Sequence, residues 1–376
     1  MRVLLDVSAV PERPVGAGVY TVNLAKALDE RSDIDLTLLT RRADASRWST
    51  IAPAARLDAR LPAVRPLRLA AEQMVRAADE DGLDVWHGPH YTMPWFRSSP
   101  PAVVTVHDLT FFDHPEWHER SKVAFFRRAI RASAERAQVV VTPSETTARR
   151  LRDLVHPSAD VVTIPHGVDH DRFHPDPAVE DADLEVLRGI GVHPPFVAFA
   201  GTLEPRKDVP TLVDAFARIA PGHPDLRLVL AGGDGWGANA VRRAVGSSGF
   251  TTRIVRPGYV DDAVLPALYR RAAAVAYPSL EEGFGLPVLE ALACGAPTVT
   301  TRGTSMADVA GDAALLVDRG ATDRLAAALE TCLTDRGTEQ ALRERGPHVA
   351  AAHTWAVSTA AHVEAYSAAA ARVGSA

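Results

Sequence analysis

Cysteine is nearly absent from this sequence: Cys294 and Cys332 are the only two in 376 residues. Two are too few for a disulfide framework or a thiolate zinc site, and the default compartment for such a chain is the cytosol. Long apolar runs are missing as well. No uninterrupted stretch approaches the ~20 residues needed to cross a bilayer. The opening Met1-Arg2-Val3-Leu4-Leu5-Asp6-Val7 meets an acid too early for a signal peptide and reads as a first strand. Nor is there an excess of positive charge: the formal net charge is -6, which argues against a general nucleic-acid binder. Carboxylate pairs placed to hold a divalent metal are scarce. Asp181-Ala182-Asp183 falls in a proline-rich stretch and Asp33-Ile34-Asp35 precedes a strand rather than following one, so both read as solvated charges and no metal is expected.

What is present is 47% hydrophobic and 23% charged, an ordinary globular composition on a chain long enough for two domains. Short apolar runs alternate with amphipathic segments, the pattern of parallel strands covered by helices. In the first half, strands are predicted over 2–7, 36–39, 85–87, 103–107, 139–142 and 161–164, with helices such as 17–29 and 144–155 between them. In the second half they are predicted over 196–200, 227–231, 252–255, 274–277 and 297–300. The stretch between the halves is rich in proline and charge and reads as a linker. The expected fold class is therefore α/β, with two Rossmann-like doubly wound domains facing across a cleft at the C-terminal ends of their strands. The expected segments are 1–170, a linker over 171–195, 196–354, and an Ala-rich final helix within 355–376.

Within the second half, Glu282-Gly283-Phe284-Gly285-Leu286-Pro287-Val288-Leu289-Glu290 is a glycine-rich loop running into a helix predicted over 286–294. Gly283 and Gly285 permit backbone conformations closed to other residues and a close approach to a ligand. The first N–H groups and the positive dipole end of the helix then face an anion. Glu282 in the loop and Glu290 in the helix can each accept hydroxyl hydrogen bonds. A ligand with both hydroxyls and phosphate suits this piece; so does a plain helix start with two acids near its dipole. Upstream, the apolar run 196–200 ends in Gly201 and leads to Glu204-Pro205-Arg206-Lys207. Two adjacent cations at a strand's C-terminal end can neutralise a diphosphate leaving group, although an Arg-Lys pair capping a surface turn is common.

Together these segments resemble the retaining glycosyltransferases of family 4, which have the GT-B fold, and the resemblance runs along nearly the whole chain. Glu282 and Glu290 match the family's Glu-x7-Glu element, and Glu204-Pro205-Arg206-Lys207 a second motif. Val104-Thr105-Val106-His107-Asp108-Leu109 looks like the strand that ends in a His at the interdomain cleft. Gly16-Ala17-Gly18 looks like the loop that reaches the donor phosphates, Ile164-Pro165-His166-Gly167-Val168-Asp169 like the end of the first domain, and Arg256-Pro257-Gly258-Tyr259-Val260 like the lining of the base pocket.

The resemblance implies transfer of a hexose from a nucleoside diphosphate sugar to a hydroxyl, with retention and without a cofactor. Arg206 and Lys207 would hold the diphosphate beside Gly201, with Gly283, Phe284, Gly285 and the backbone of Leu286, Pro287 and Val288 around it. Glu282 would bind the transferred sugar, Glu290 the ribose, Tyr259 the base side, and His107 the sugar near the reacting carbon. Thr202 stands where some branches carry an Arg, which leaves open whether Arg206 alone serves as the fork. No positioned carboxylate stands out as a nucleophile, so front-face attack is implied. The motifs look like those of the branch with bacterial mannosyltransferases, which puts GDP-mannose first as donor and UDP sugars second. The implied final helix crosses back to the first domain.

Two other classes fit the sequence less well. A dinucleotide-dependent oxidoreductase needs a tight glycine turn directly after the strand, whereas Gly16-Ala17-Gly18-Val19-Tyr20-Thr21 starts late and carries Thr at the third glycine position. A noncatalytic nucleotide-sugar binder would be favoured by loss of Glu282 or Lys207, and both are present. On the acceptor side, His87, His90, Tyr91 and Asp108 follow strands of the first half. The segment 118–136 sets Val123, Phe126 and Ile130 on one face with Lys122, Arg127, Arg128 and Arg131 nearby. It reads either as a helix burying that face or as a peripheral contact with an anionic membrane. A glycan, a glycolipid or a small molecule would fit as acceptor, and the expected location is cytoplasmic, free or peripheral on the inner face of the membrane.

Overall fold

The computed structural model describes residues 1–62, 82–94, 100–261 and 263–373. The chain forms two compact units, Met1–Gly167 together with Trp355–Ala376, and Val168–Thr354. Each is built on one parallel sheet.

The first sheet contains β1 (Arg2–Asp6), β2 (Asp35–Arg41), β3 (Arg56–Leu61), β4 (Val85–Gly88), β5 (Ala102–Thr105), β6 (Val139–Thr142) and β7 (Asp160–Thr163) in the order β3-β2-β1-β4-β5-β6-β7. The second contains β8 (Phe196–Ala200), β9 (Arg227–Ala231), β10 (Ile254–Gly258), β11 (Ala274–Tyr277), β12 (Thr298–Thr301) and β13 (Ala314–Val317) in the order β10-β9-β8-β11-β12-β13. Central strands such as β4, β6, β8 and β11 are buried along their whole length, as expected where helices cover both faces of a parallel sheet. In each sheet the strand order reverses once, between β1 and β4 and between β8 and β11. Loops leaving the carboxyl ends of strands at such a reversal diverge and open a crevice, where sheets of this kind bind ligands.

The final helix, Trp355–Val373, belongs to the first unit. Tyr366, Ala365 and Ala369 join its core with Tyr20, Leu24, Val85 and Val103. Two strands lay outside the sequence expectation. β3 carries charge at three of its six positions and lies at the sheet edge, and the four-residue β13 is hidden in an Ala-rich stretch. The strand expected over 252–255 begins later, because Thr251–Arg253 makes a single 3-10 turn.

The expected linker over 171–195 needs correction. It contains the helix Glu180–Gly189 and is part of the second unit. Nor is Asp183 solvated. It is buried, accepting from Arg270 Nη2 at 2.6 Å and Nε at 2.8 Å, with Arg271 Nε 3.3 Å away. The prolines that suggested a linker flank this helix rather than interrupt it. Replacing Asp183 by Ala would leave Arg270 buried without its counter-charge. That change should destabilise the second unit by about 3–5 kcal/mol, read as a lower urea midpoint for that unit.

Candidate functional site

In the second unit, the turn after β8 and the loop after β11 meet at the reversal of strand order. β8 is followed directly by Gly201, where φ is 148°. A Cβ there would stand 2.6 Å from Lys207 Nζ, so glycine is what lets the lysine fold back under the strand end. Lys207 is one of only three lysines in the chain and is 7% exposed. Its Nζ lies 3.8 Å from Glu282 Oε1 and 5.9 Å from the centre of the Phe199 ring. Burial lowers its pKa, with Arg206 acting in the same direction and Glu282 opposing.

Arg206 is held from several directions. Its Nε donates to Glu204 Oε2 at 2.7 Å, and Nη1 pairs with Glu282 Oε2 and reaches the Glu281 carbonyl at 3.4 Å. Burial alone would raise the pKa of Glu282, but Arg206 and Lys207 outweigh it and hold the group below its ordinary value as a carboxylate. The Glu282 carbonyl accepts from Ser305 Oγ at 2.6 Å, and the Leu280 N–H donates to the Arg206 carbonyl at 2.7 Å, tying loop to turn. The cluster thus sets two cations against Glu204 and Glu282.

Gly285, at φ 104°, opens the helix Leu286–Ala293. The phosphate contacts expected of this helix are narrowed by the structure. Pro287 has no N–H, and the Val288 N–H donates to the Gly285 carbonyl at 2.9 Å, which leaves Leu286 and the loop. Phe284, Leu286 and Val288 have buried side chains, so any ligand contact they make is through the backbone. Glu290 is half-buried and near enough to Tyr277 and Tyr269 to add to the rise that burial causes in their pKa values. Tyr259, 41% exposed, follows β10, where the Gly258 carbonyl accepts from the Gly232 N–H. Ser279 Oγ also donates to Glu282 Oε1, at 3.4 Å; the sequence alone assigns no role to Glu204, Ser279 or Ser305. Glu204, two residues before Arg206, was the one with a legible signal.

In the first unit, Gly16 (φ 50°) caps the helix Ala17–Asp29 in the loop after β1. A Cβ on Gly18 would sit 3.1 Å from Pro14 Cβ. His107 follows β5 and is buried. Its Nε2 lies 2.7 Å from the Pro89 carbonyl, which can only accept, so Nε2 carries the proton and Nδ1 has the lone pair. Burial lowers its pKa, opposed by Pro89 and Asp108. Its ring packs against Tyr20 at 5.1 Å, Tyr91 at 5.5 Å and His90 at 6.0 Å.

Three residues expected on the acceptor side are otherwise engaged. His87 is fully buried, with its nitrogens on Tyr366 Oη and Thr105 Oγ1. Tyr91 is buried at φ 65°, its N–H on the Thr105 carbonyl. Asp108 Oδ1 accepts from the Thr110 N–H and hydroxyl at the start of a short helix. His90 remains half-buried beside His107. Between 118 and 136, the helix Arg120–Arg136 buries Val123, Phe126 and Ile130 in the first unit. Its apolar face is therefore not presented to a bilayer, and Arg120, Arg128 and Arg131 are exposed. Among the described residues, no helix is long and apolar enough to cross a membrane, and no group of three or more His, Cys, Asp or Glu is placed to hold a metal.

Residues 14–172 match the family described as Glycosyltransferase Family 4, and residues 188–349 that described as Glycosyl transferases group 1. The O-antigen chain mannosyltransferase B of Escherichia coli is 32% identical over 286 residues, 75% of this chain and 74% of that one. The chain belongs to glycosyltransferase family 4. It is an enzyme of the GT-B type, a glycosyltransferase with two Rossmann-like domains. Among other relatives of this glycosyltransferase is the GDP-mannose-dependent alpha-(1-6)-phosphatidylinositol monomannoside mannosyltransferase of Mycolicibacterium smegmatis, 31% identical over 231 residues, 59% of this chain and 60% of that one. The D-inositol 3-phosphate glycosyltransferase of Corynebacterium glutamicum is 34% identical over 228 residues, 57% of this chain and 54% of that one. These two matches span little more than half of either protein. In fold, the glycosyltransferase is similar to the sucrose-phosphate synthase of Thermosynechococcus elongatus, with a TM-score of 0.78 at 21% identity over 97% of this chain and 98% of that one. Anabaena HepE in complex with UDP-glucose gives 0.78 at 20% over 98% and 99%.

The buried histidines of the first unit make a prediction about pH. Burial, the leading cause in each case, pushes His87 and His166 well below the usual histidine value and His362 down to about 4. Folded-state values below the unfolded ~6.5 mean that the unfolded chain takes up protons first as pH falls. The stabilisation is therefore complete above pH ~6.5 and is lost progressively from there toward pH ~4. Urea midpoints measured between pH 7.5 and 4.5 should decline with acidification for the first unit; a flat profile would contradict neutral burial.

Proposed function

We propose that this glycosyltransferase moves mannose from GDP-mannose to a glycan or glycolipid hydroxyl, forming an α-glycosidic bond with retention and without a metal. The observation that carries the reading is the pairing of Arg206 and Lys207 with Glu282 at the reversal of the second sheet. The mannosyltransferase relatives support the choice of sugar.

In this reading the diphosphate takes the place of carboxylate at Arg206 and Lys207, which then stabilise the charge that the leaving group gains. Glu282, released from Arg206, accepts hydroxyls of the sugar. The helix end at Leu286 adds a backbone donor and its dipole, Glu290 takes the ribose, Tyr259 the base side, and the Gly16–Gly18 loop and His107 the first unit's share of the donor. The bond from the anomeric carbon to phosphate oxygen breaks, the acceptor oxygen bonds to that carbon on the same face, and its proton passes to the leaving phosphate oxygen. The two cations and the dipole supply the charge stabilisation a metal would otherwise give. Any membrane contact rests on the exposed arginines of Arg120–Arg136, not on insertion.

The reading is tested by thermal shift with GDP, UDP, ADP and dTDP at equal concentration in EDTA, since a ligand that binds only the native state raises the melting point. GDP should stabilise most. A preference for UDP would move the donor to a UDP sugar, and no shift with any nucleotide would remove the sugar-nucleotide site. Lys207→Ala should weaken GDP binding by about 2 kcal/mol, the scale of a lost charge-assisted contact. Glu282→Ala should abolish transfer, while GDP, whose diphosphate itself supplies the counter-charge that Glu282 gives Arg206 and Lys207, still binds with largely retained affinity; undiminished turnover would displace Glu282 from the site.

A further inference from the structure

His362, on the helix Trp355–Val373, is fully buried and belongs to none of the motifs above. It closes a chain of buried hydrogen bonds whose direction can be read from one end. His362 Nδ1 lies 2.7 Å from the Ser358 carbonyl, which only accepts, so Nδ1 carries the proton and Nε2 presents a lone pair. The Tyr20 hydroxyl, 2.8 Å away, therefore donates to Nε2. The Tyr20 oxygen in turn accepts from the Thr105 hydroxyl at 2.9 Å, and the Thr105 oxygen accepts from His87 Nε2–H at 2.9 Å. His87 Nδ1 is left to accept from the Tyr366 hydroxyl at 2.7 Å. The chain thereby returns to the helix it started from. It links that helix to the helix Ala17–Asp29, β4 and β5, each donor meets an acceptor, and no member needs a charge.

Tyr20 is the member next to the site. Its ring lies edge-on to His107, with centres 5.1 Å apart, and 4.6 Å from His166. Its backbone N–H donates to the Gly16 carbonyl at 3.1 Å. We infer that Tyr20 and His362 are positioning residues: the hydrogen bond between them lets the C-terminal helix fix the ring that backs His107 and the turn that carries Gly16. The inference rests on the reading of His107 and the Gly16 loop as parts of the site. The Tyr20 hydroxyl acts at one remove, because it is the ring and not the hydroxyl that meets His107.

Substitutions at 362 separate the hydrogen bond from the volume. Gln offers an amide oxygen close to where Nε2 stands, whereas Leu keeps the bulk and removes the acceptor. Release of GDP from GDP-mannose is to be assayed well below each variant's melting temperature. His362→Leu and Tyr20→Phe should each lower kcat roughly ten- to hundredfold and raise donor KM by a smaller factor, as expected when catalytic groups are misplaced more than donor binding is lost, and His362→Gln should recover most of the rate. The double variant should be no slower than the slower single one, because each single change already removes the Tyr20–His362 bond. A merely structural role predicts instead additive losses that follow melting temperature. Long-range ¹H–¹⁵N spectra of the His107 ring, recorded without donor, should show its resonances moved in His362→Leu and retained in His362→Gln. Unmoved resonances in every variant, or additive losses, overturn the inference. His107→Ala distinguishes the two failures: undiminished GDP release in that variant sinks the role given to His107, while moved resonances in His362→Leu still establish the coupling.

Discussion

A cation removed from water must keep its counter-charge within a few ångströms, and much of the second unit's local shape serves that constraint at Lys207. The lysine is buried because the chain folds back beneath the end of β8, and it remains a usable cation because Glu282 comes within 3.8 Å from the next strand's loop. The surrounding sequence is then restricted. Gly201 has no side chain where Nζ lies, and Gly232 has none because the Gly201 carbonyl would be 2.1 Å from its Cβ. Gly285 meets the same limit, since a Cβ there would be 2.5 Å from Met306 Cγ. Glycines that look like a phosphate loop in the sequence are also the places where packing around one buried ion pair leaves no room.

The two units solve different problems with the same topology. At the reversal of the second sheet, charges of opposite sign are gathered and compensated, so that in the proposed reaction an entering anion would exchange with carboxylate rather than meet bare cations. At the first, neutral imidazoles and phenols are gathered instead, and hydrogen bonds and ring packing do the positioning. A neutral, buried His107 with its proton fixed on Nε2 suits hydrogen bonding to a sugar better than it suits charge stabilisation, and the proposed roles divide accordingly.

The alternation of apolar runs made most of the two sheets legible, and strands such as β6, β8, β9 and β11 lie where the sequence places them because they are short, apolar and central. Of the edge strands, β7 and β10 were legible to within a few residues, whereas β3 was not, since it alternates charge with apolar residues as a surface loop does, and neither was the four-residue β13. The helix Glu180–Gly189 was hidden by its flanking prolines, and its buried Asp183 by the general rule that acids face water. The Arg206, Lys207 and Glu282 cluster was visible as motifs, because glycines and charges at fixed offsets carry local signals. The histidine and tyrosine chain was not: Tyr20 and His362 are 342 positions apart, and nothing local to either residue points to the other. For the same reason His87 looked like a residue facing a ligand, when its nearest partner in sequence is Thr105 and its other partner is Tyr366.

The interruption of the first unit by the second has a consequence for synthesis. Residues 355–373 are translated after the whole of Val168–Thr354, yet they bring Tyr366, Ala365 and Ala369 to the first unit's core and the acceptor for the Tyr20 hydroxyl. Until that helix is made, the nascent first unit holds an apolar seam along Tyr20, Leu24, Val85 and Val103 with nothing to cover it. The second unit, by contrast, is complete as soon as Thr354 has been added. The inserted unit can therefore fold first on the ribosome while its host waits, reversing the usual order in which the N-terminal domain is finished before the one that follows.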